Sequence, residues 1–107
     1  MSAGTEQWPT PGTAYAASPS MVREIGWTAQ AAADMPFGTR MGREFWLRKA
    51  ALLDRIALSE EVARYGGDAI GAAELAAARL MDLDDTDAIC DPRRYVRQQY
   101  ALWTNEQ

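Results

Sequence analysis

Residues 41–65, MGREFWLRKAALLDRIALSEEVARY, followed by Gly66 and Gly67, decide the fold. Ala, Leu, Arg and Glu are strong helix formers, the aliphatic side chains recur near 3.6-residue spacing, and glycine commonly ends a helix. Phe45, Trp46, Leu52, Leu53, Ile56 and Val62 cover more than one narrow stripe, so this helix is expected to touch at least two neighbours and to stand at the centre of the molecule. Unbroken, the stretch would measure about 37 Å. Ser59-Glu60-Glu61 is the point at which a new short helix could be capped instead.

The flanking sequence supplies partners of the same kind. A first helix is expected from Ser18 or Ser20, with serine as cap and Pro19 tolerated in the first turn, ending before Pro36 and presenting Val22, Ile25, Ala29 and Ala32 on one face. Pro36-Phe37-Gly38-Thr39 reads as a connection, with Phe37 plugging the junction and Thr39 as a cap. A third helix, from about Asp68 to Met81, places Ile70, Ala73, Ala77 and Leu80 on one side among small residues that permit close packing. A fourth begins at Asp91-Pro92, a cap followed by proline in the first helical position, and carries Tyr95, Val96, Tyr100, Leu102 and Trp103. Residues 1–17 are rich in Gly, Pro, Ser, Thr and Ala without periodicity and read as a flexible arm, with Trp8 and Tyr15 as aromatics able to dock. The expectation is one all-α, four-helix-bundle-like domain over residues 18–107, preceded by that arm.

The 107 residues suffice for one hydrophobic core, and the chain carries a formal charge of −4 that is unevenly spread. Residues 37–65 hold six basic and four acidic groups, residues 66–91 one basic and seven acidic, and residues 92–107 three basic and one acidic. Local patches therefore matter more than the net value. Lys49 stands alone beside ten arginines, which fits a GC-rich coding bias as readily as a demand for bidentate contacts. The single cysteine, Cys90, forms no internal disulfide, no segment approaches the ~20 apolar residues of a membrane span, and the N-terminus lacks a signal peptide. A cytoplasmic protein with no membrane association is expected.

Several chemistries are excluded or weakened. With no histidine, Ser-His and Cys-His sites and histidine-bearing zinc sites are absent. Cys90 lies ahead of Asp91, Arg93 and Arg94, a setting that can lower a thiol pKa, but a buried or incidental cysteine is the favoured reading. Asp82, Asp84, Asp85 and Asp87 could collect a hard cation, yet their spacing matches no calcium loop and falls short of a paired-aspartate magnesium motif. No cofactor or metal is expected. Arg93, Arg94 and Arg97 at the start of the fourth helix, with Arg40 and Arg43 near the second, read either as a latch onto the neighbouring aspartates or as an anion site. No P-loop is present. Glu61–Ala73 resembles a helix-turn-helix, but its second helix would offer Ala69, Gly71, Ala72 and Glu74 to base edges, so nucleic-acid recognition is disfavoured.

REFWLRKAALLDRIAL at residues 43–58, RLMDLD at residues 79–84 and DPRRYVRQQYALW at residues 91–103 resemble a group of small, uncharacterised actinobacterial proteins. The resemblance implies a bacterial cytoplasmic source and no particular activity. The function expected is a non-enzymatic protein–protein interaction or regulatory protein, with Trp8, Trp27, Trp46, Tyr100 and Trp103 as interface aromatics and a homodimer as one form. Two alternatives stand beside it: a nucleic-acid or anion-binding regulator using Arg40, Arg43, Arg93, Arg94 and Arg97, and a small enzyme using Glu44, Asp54 or Asp91 with an arginine or tyrosine.

Overall fold

The computed structural model describes residues 8–36, 40–63, 68–86 and 91–107. These form five helices: α1 (Pro11–Ala14), α2 (Met21–Asp34), α3 (Arg43–Ala63), α4 (Ala69–Leu83) and α5 (Pro92–Asn105). The all-α expectation holds among the described residues, which contain no strand. No helix described is long and apolar enough to cross a membrane. Phe37, Thr39, the side chain of Val62, residues 64–67, Asp87 and Cys90 lie outside the described residues, as do residues 1–7 of the expected arm.

Helix α3 is continuous over 21 residues and runs through Ser59 without a break. It packs against α2, α4 and α5, which makes it the centre of the fold. Its most deeply buried residues are Leu47, Ala50, Ala51, Asp54 and Ala57, spaced by three and four, with Phe45 and Leu52 also buried. Trp46, Leu53 and Ile56 are only half-buried. The inner stripe is thus rich in alanine. Against it α4 sets Ala73, Ala76, Ala77, Leu80 and Met81, so small side chains face small side chains and the two helices can lie close. Val96 and Tyr100 of α5 complete the core cluster, with Tyr15, Trp46, Leu53, Tyr95 and Trp103 packed at its margin.

Capping chemistry sets the ends. Ser20 Oγ accepts from the Arg23 N–H, so α2 begins at Met21 and Pro19 lies ahead of the cap rather than in the first turn. Asp91 Oδ1 accepts from the Arg93 N–H with Pro92 in the first turn of α5, as the sequence predicts. Helix α4 ends in a Schellman turn: Thr86 N–H donates to Met81 O and Asp85 N–H to Asp82 O, with Asp85 at φ 54°.

Two regions take a definite setting. Of the expected arm, residues 8–17 dock, as their aromatics allowed: Thr10 caps α1, Ala14 is buried, and α1 packs on α5. The aromatic Tyr15 is what ties them down, since its ring meets Tyr100 edge-on at 5.4 Å. The face of α2 bearing Val22, Ile25, Ala29 and Ala32 points outward, with Val22 79% and Ile25 49% exposed. Helix α2 instead turns Glu24 and Trp27 toward α3, because those two hold Arg48 of α3 by an ion pair and a stacked ring.

Candidate functional site

Asp54 occupies an inward position of α3, four residues after Ala50 and three before Ala57, and no part of it reaches solvent. A lone carboxylate there would be prohibitively costly to desolvate, so its surroundings must supply donors. Four arrive. Tyr15 Oη donates to Oδ2 at 2.6 Å, Arg97 Nε to Oδ2 at 2.7 Å, Arg97 Nη2 to Oδ1 at 2.9 Å, and Arg93 Nε to Oδ1. Arg93 and Arg97 are four residues apart on α5, hence on one face, and both reach the same group. Arg93 also directs its two terminal nitrogens at Glu61, at 3.3 and 3.2 Å. All four acceptor sites of Asp54 are therefore occupied. Burial pushes the Tyr15 phenol well above its ordinary value, and the Asp54 charge beside it adds to the shift. For Arg93 burial acts against the charge, but the bonds to Glu61 and Asp54 outweigh it and raise the pKa.

A second centre joins α2 to α3. Arg48 donates from Nε to Glu24 Oε1 at 3.1 Å and from Nη2 to Oε2 at 2.7 Å, and more distantly to the exposed Glu44 at 3.4 Å. Its guanidinium carbon lies 3.5 Å from the centroid of Trp27 and 5.6 Å from that of Trp103, so the cation is held between two indoles. A third centre is Asp84, just past α4: Arg43 Nε and Nη2 donate to it at 2.6 and 2.9 Å, and Tyr95 Oη at 2.6 Å. Hydrogen bonding from Arg43 holds the Asp84 carboxyl below the usual carboxylate range.

The arginines singled out from the sequence are thus divided. Arg93 and Arg97 serve Asp54, Arg43 serves Asp84, and Arg40 and Arg94 are exposed. An electrostatic latch exists, but Asp84 latches to α3 through Arg43 rather than to the arginines of α5. The three acids considered for catalysis are not brought together: Glu44 edges the α2–α3 cleft, Asp54 is sealed among arginines, and Asp91 caps α5. Among the described residues no three acidic side chains gather in a metal-binding arrangement.

The aromatics fall into different settings. Tyr100 is core, while Trp27 and Trp103 flank Arg48. Trp8 lines a shallow cleft with Pro9, Thr13, Ala101 and Leu102. Trp46 lines a groove of about 500 Å³ between α3 and α4 with Lys49, Leu53, Ala72, Leu75 and Arg79. Sequence reasoning missed Glu24, Arg48 and Glu61 as members of these networks. The available signal was Glu24 and Asp54 at inward spacing in otherwise apolar helices, each demanding a cation. Comparison of the chain with protein families, curated proteins and solved structures finds no match.

Proposed function

We propose that the protein is a non-enzymatic interaction or regulatory module of a bacterial cytoplasm, a small four-helix bundle of α2–α5 with its N-terminal segment docked, which self-associates through α2. The observation that carries this reading is the outward apolar face of α2, where Val22 and Ile25 stand exposed beside Gly26, Ala29, Ala32 and Ala33. Exposed apolar side chains that lie contiguously on one helix face, rather than scattered singly, mark an interaction surface.

A second copy of the chain fits that face. In an antiparallel two-fold pair Val22 lies opposite Ala33 of the second copy and Gly26 opposite Ala29, a sequence of small residues that lets the helices approach. Arg23, which forms no ion pair among the described residues, then comes alongside Asp34 of the second copy on one flank, and Ile25 meets Ala32 on the other. Gly26 carries no side chain into this seam, and a Cβ there would meet nothing within 4 Å in the single chain.

Nucleic-acid or anion binding by the arginines has less support, because Arg43, Arg93 and Arg97 direct their donors at internal carboxylates. The enzyme reading has less again, with Glu44, Asp54 and Asp91 in three different places.

Sedimentation velocity tests the proposal. The wild type is expected to pass from monomer to dimer as its concentration rises through the micromolar range, and a V22D/I25D double variant to stay monomeric with an unchanged thermal melt. A wild type that remains monomeric at millimolar concentration, or a double variant that dimerises as before, overturns it.

A further inference from the structure

The groove between α3 and α4 is an apolar concavity away from α2, and its chemistry is not that of a face awaiting another copy. Its floor and walls come from Trp46, Lys49 and Leu53 on α3, spaced by three and four, and from Ala72, Leu75, Ala76 and Arg79 on α4 at the same period. Two helices in contact leave such a channel when small residues face each other, here Ala50 and Ala51 against Ala76 and Ala77, and the larger residues stand to one side. Leu75 is 75% exposed at the rim, a leucine that the fold itself does not use.

Its electrostatics are one-sided. Lys49 Nζ lies 5.1 Å from the Trp46 ring centroid and Arg79 Cζ 5.6 Å from it. Neither cation forms an ion pair among the described residues, and no carboxylate lines the groove. This holds in a chain whose formal charge is −4 and in which Arg43, Arg48, Arg93 and Arg97 each have a carboxylate partner. A cation left beside an apolar channel selects a ligand with an apolar stripe and a negative edge.

We infer that the α3–α4 groove binds an amphipathic helix of a partner protein, with apolar side chains at i, i+3 or i+4 and i+7 lying between Leu53 and Leu75 and carboxylates meeting Lys49 and Arg79 beside Trp46. From Trp46 to Leu53 the channel extends about 10 Å along α3, which accommodates two turns of such a helix. Trp46 is the anchor, because its ring offers a broad apolar contact and is already held in place by Phe45, edge-on at 5.4 Å. This surface is separate from the outward face of α2, so the protein would hold a second copy on one side and an acidic helix on the other.

The test is fluorescence anisotropy with three dye-labelled peptides of about four helical turns added to the full chain. One carries leucines at the spacing above with glutamates along one edge, one replaces the glutamates by lysines, and one keeps the glutamates but replaces the leucines by serines. The acidic, leucine-bearing peptide is expected to bind at least tenfold more tightly than either control. L75D should abolish that binding without altering the melt, since Leu75 is exposed, and K49E/R79E should reverse the preference toward the lysine peptide. Absence of binding by the acidic leucine peptide, equal binding of the charge-swapped peptides, or retention of binding by L75D overturns the inference. Displacement of the acidic peptide by a poly-uridine strand also overturns it, in favour of nucleic acid. The V22D/I25D variant should bind the acidic peptide as the wild type does, so failure of self-association and failure of the groove are read separately.

Discussion

Asp54 is the residue on which most of the interior depends. Removing one partner of a buried ion pair costs about 3–5 kcal/mol, because the remaining charges stay out of water without compensation. D54N would leave Arg93 and Arg97 four residues apart on α5 with only Glu61 between them to balance two positive charges. The expected outcome in urea denaturation is a destabilisation of that size, against less than about 0.5 kcal/mol for R94A, which alters an exposed side chain. A D54N loss below about 1 kcal/mol would mean that the two arginines find water when their acceptor is neutralised.

Among elements, the turn after α4 offers a cleaner measurement than any helix interior. Asp85 adopts a left-handed conformation that glycine takes without steric cost, while aspartate only tolerates it. D85G is therefore expected to stabilise the protein by up to about 1 kcal/mol, read as a rise in melting temperature, with the Asp84 contacts to Arg43 and Tyr95 retained. A fall in melting temperature would show that the Asp85 side chain contributes more than its backbone conformation costs. Elements were the most legible level of the sequence: α3 as the central helix, the Asp91-Pro92 start of α5 and the inward face of α4 all follow from local chemistry. What the sequence obscured was orientation. The spacing of Val22, Ile25, Ala29 and Ala32 identifies an apolar face on α2, but spacing does not say whether that face meets this chain, and the demand of Arg48 for Glu24 and Trp27 turned it outward. Tyr15 shows the complementary case. In a polar, aperiodic stretch the aromatics are the one packing signal, and it is Tyr15, with its ring on Tyr100 and its hydroxyl on the buried Asp54, that docks residues 8–17.

The whole molecule has no histidine, so no side chain with an ordinary pKa near neutrality charges or discharges there. The limits of its stability against pH are set elsewhere. Asp84 has a folded pKa below its unfolded value, so its contribution is complete above about pH 4 and is lost as the pH falls through the folded value. Tyr15, Tyr95 and Tyr100 are raised, chiefly by burial, so their contribution is complete below about pH 10 and is lost as the pH climbs toward their folded values. Melting temperature should show a broad plateau between these limits. D84N is expected to make the acid limb shallower, and Y15F the alkaline limb, to which Tyr95 and Tyr100 still contribute, each leaving the other limb in place. A D84N profile that falls on the acid side as steeply as the wild type would assign that limb to other carboxylates.

The meeting at Asp54 also bears on how the chain is made. Tyr15 reaches it across 39 residues and Arg97 across 43, from opposite directions along the polypeptide. As α3 leaves the ribosome its middle already carries the carboxylate, while both cations that permit its burial lie in α5, which emerges after the other four helices. A chain lacking residues from 93 onward keeps Tyr15 but loses both cations that let Asp54 be buried, so its carboxylate has to stay hydrated. Closure of the core over Asp54 therefore waits for α5, and one acidic residue ties the packing of α3 to the last of the described helices.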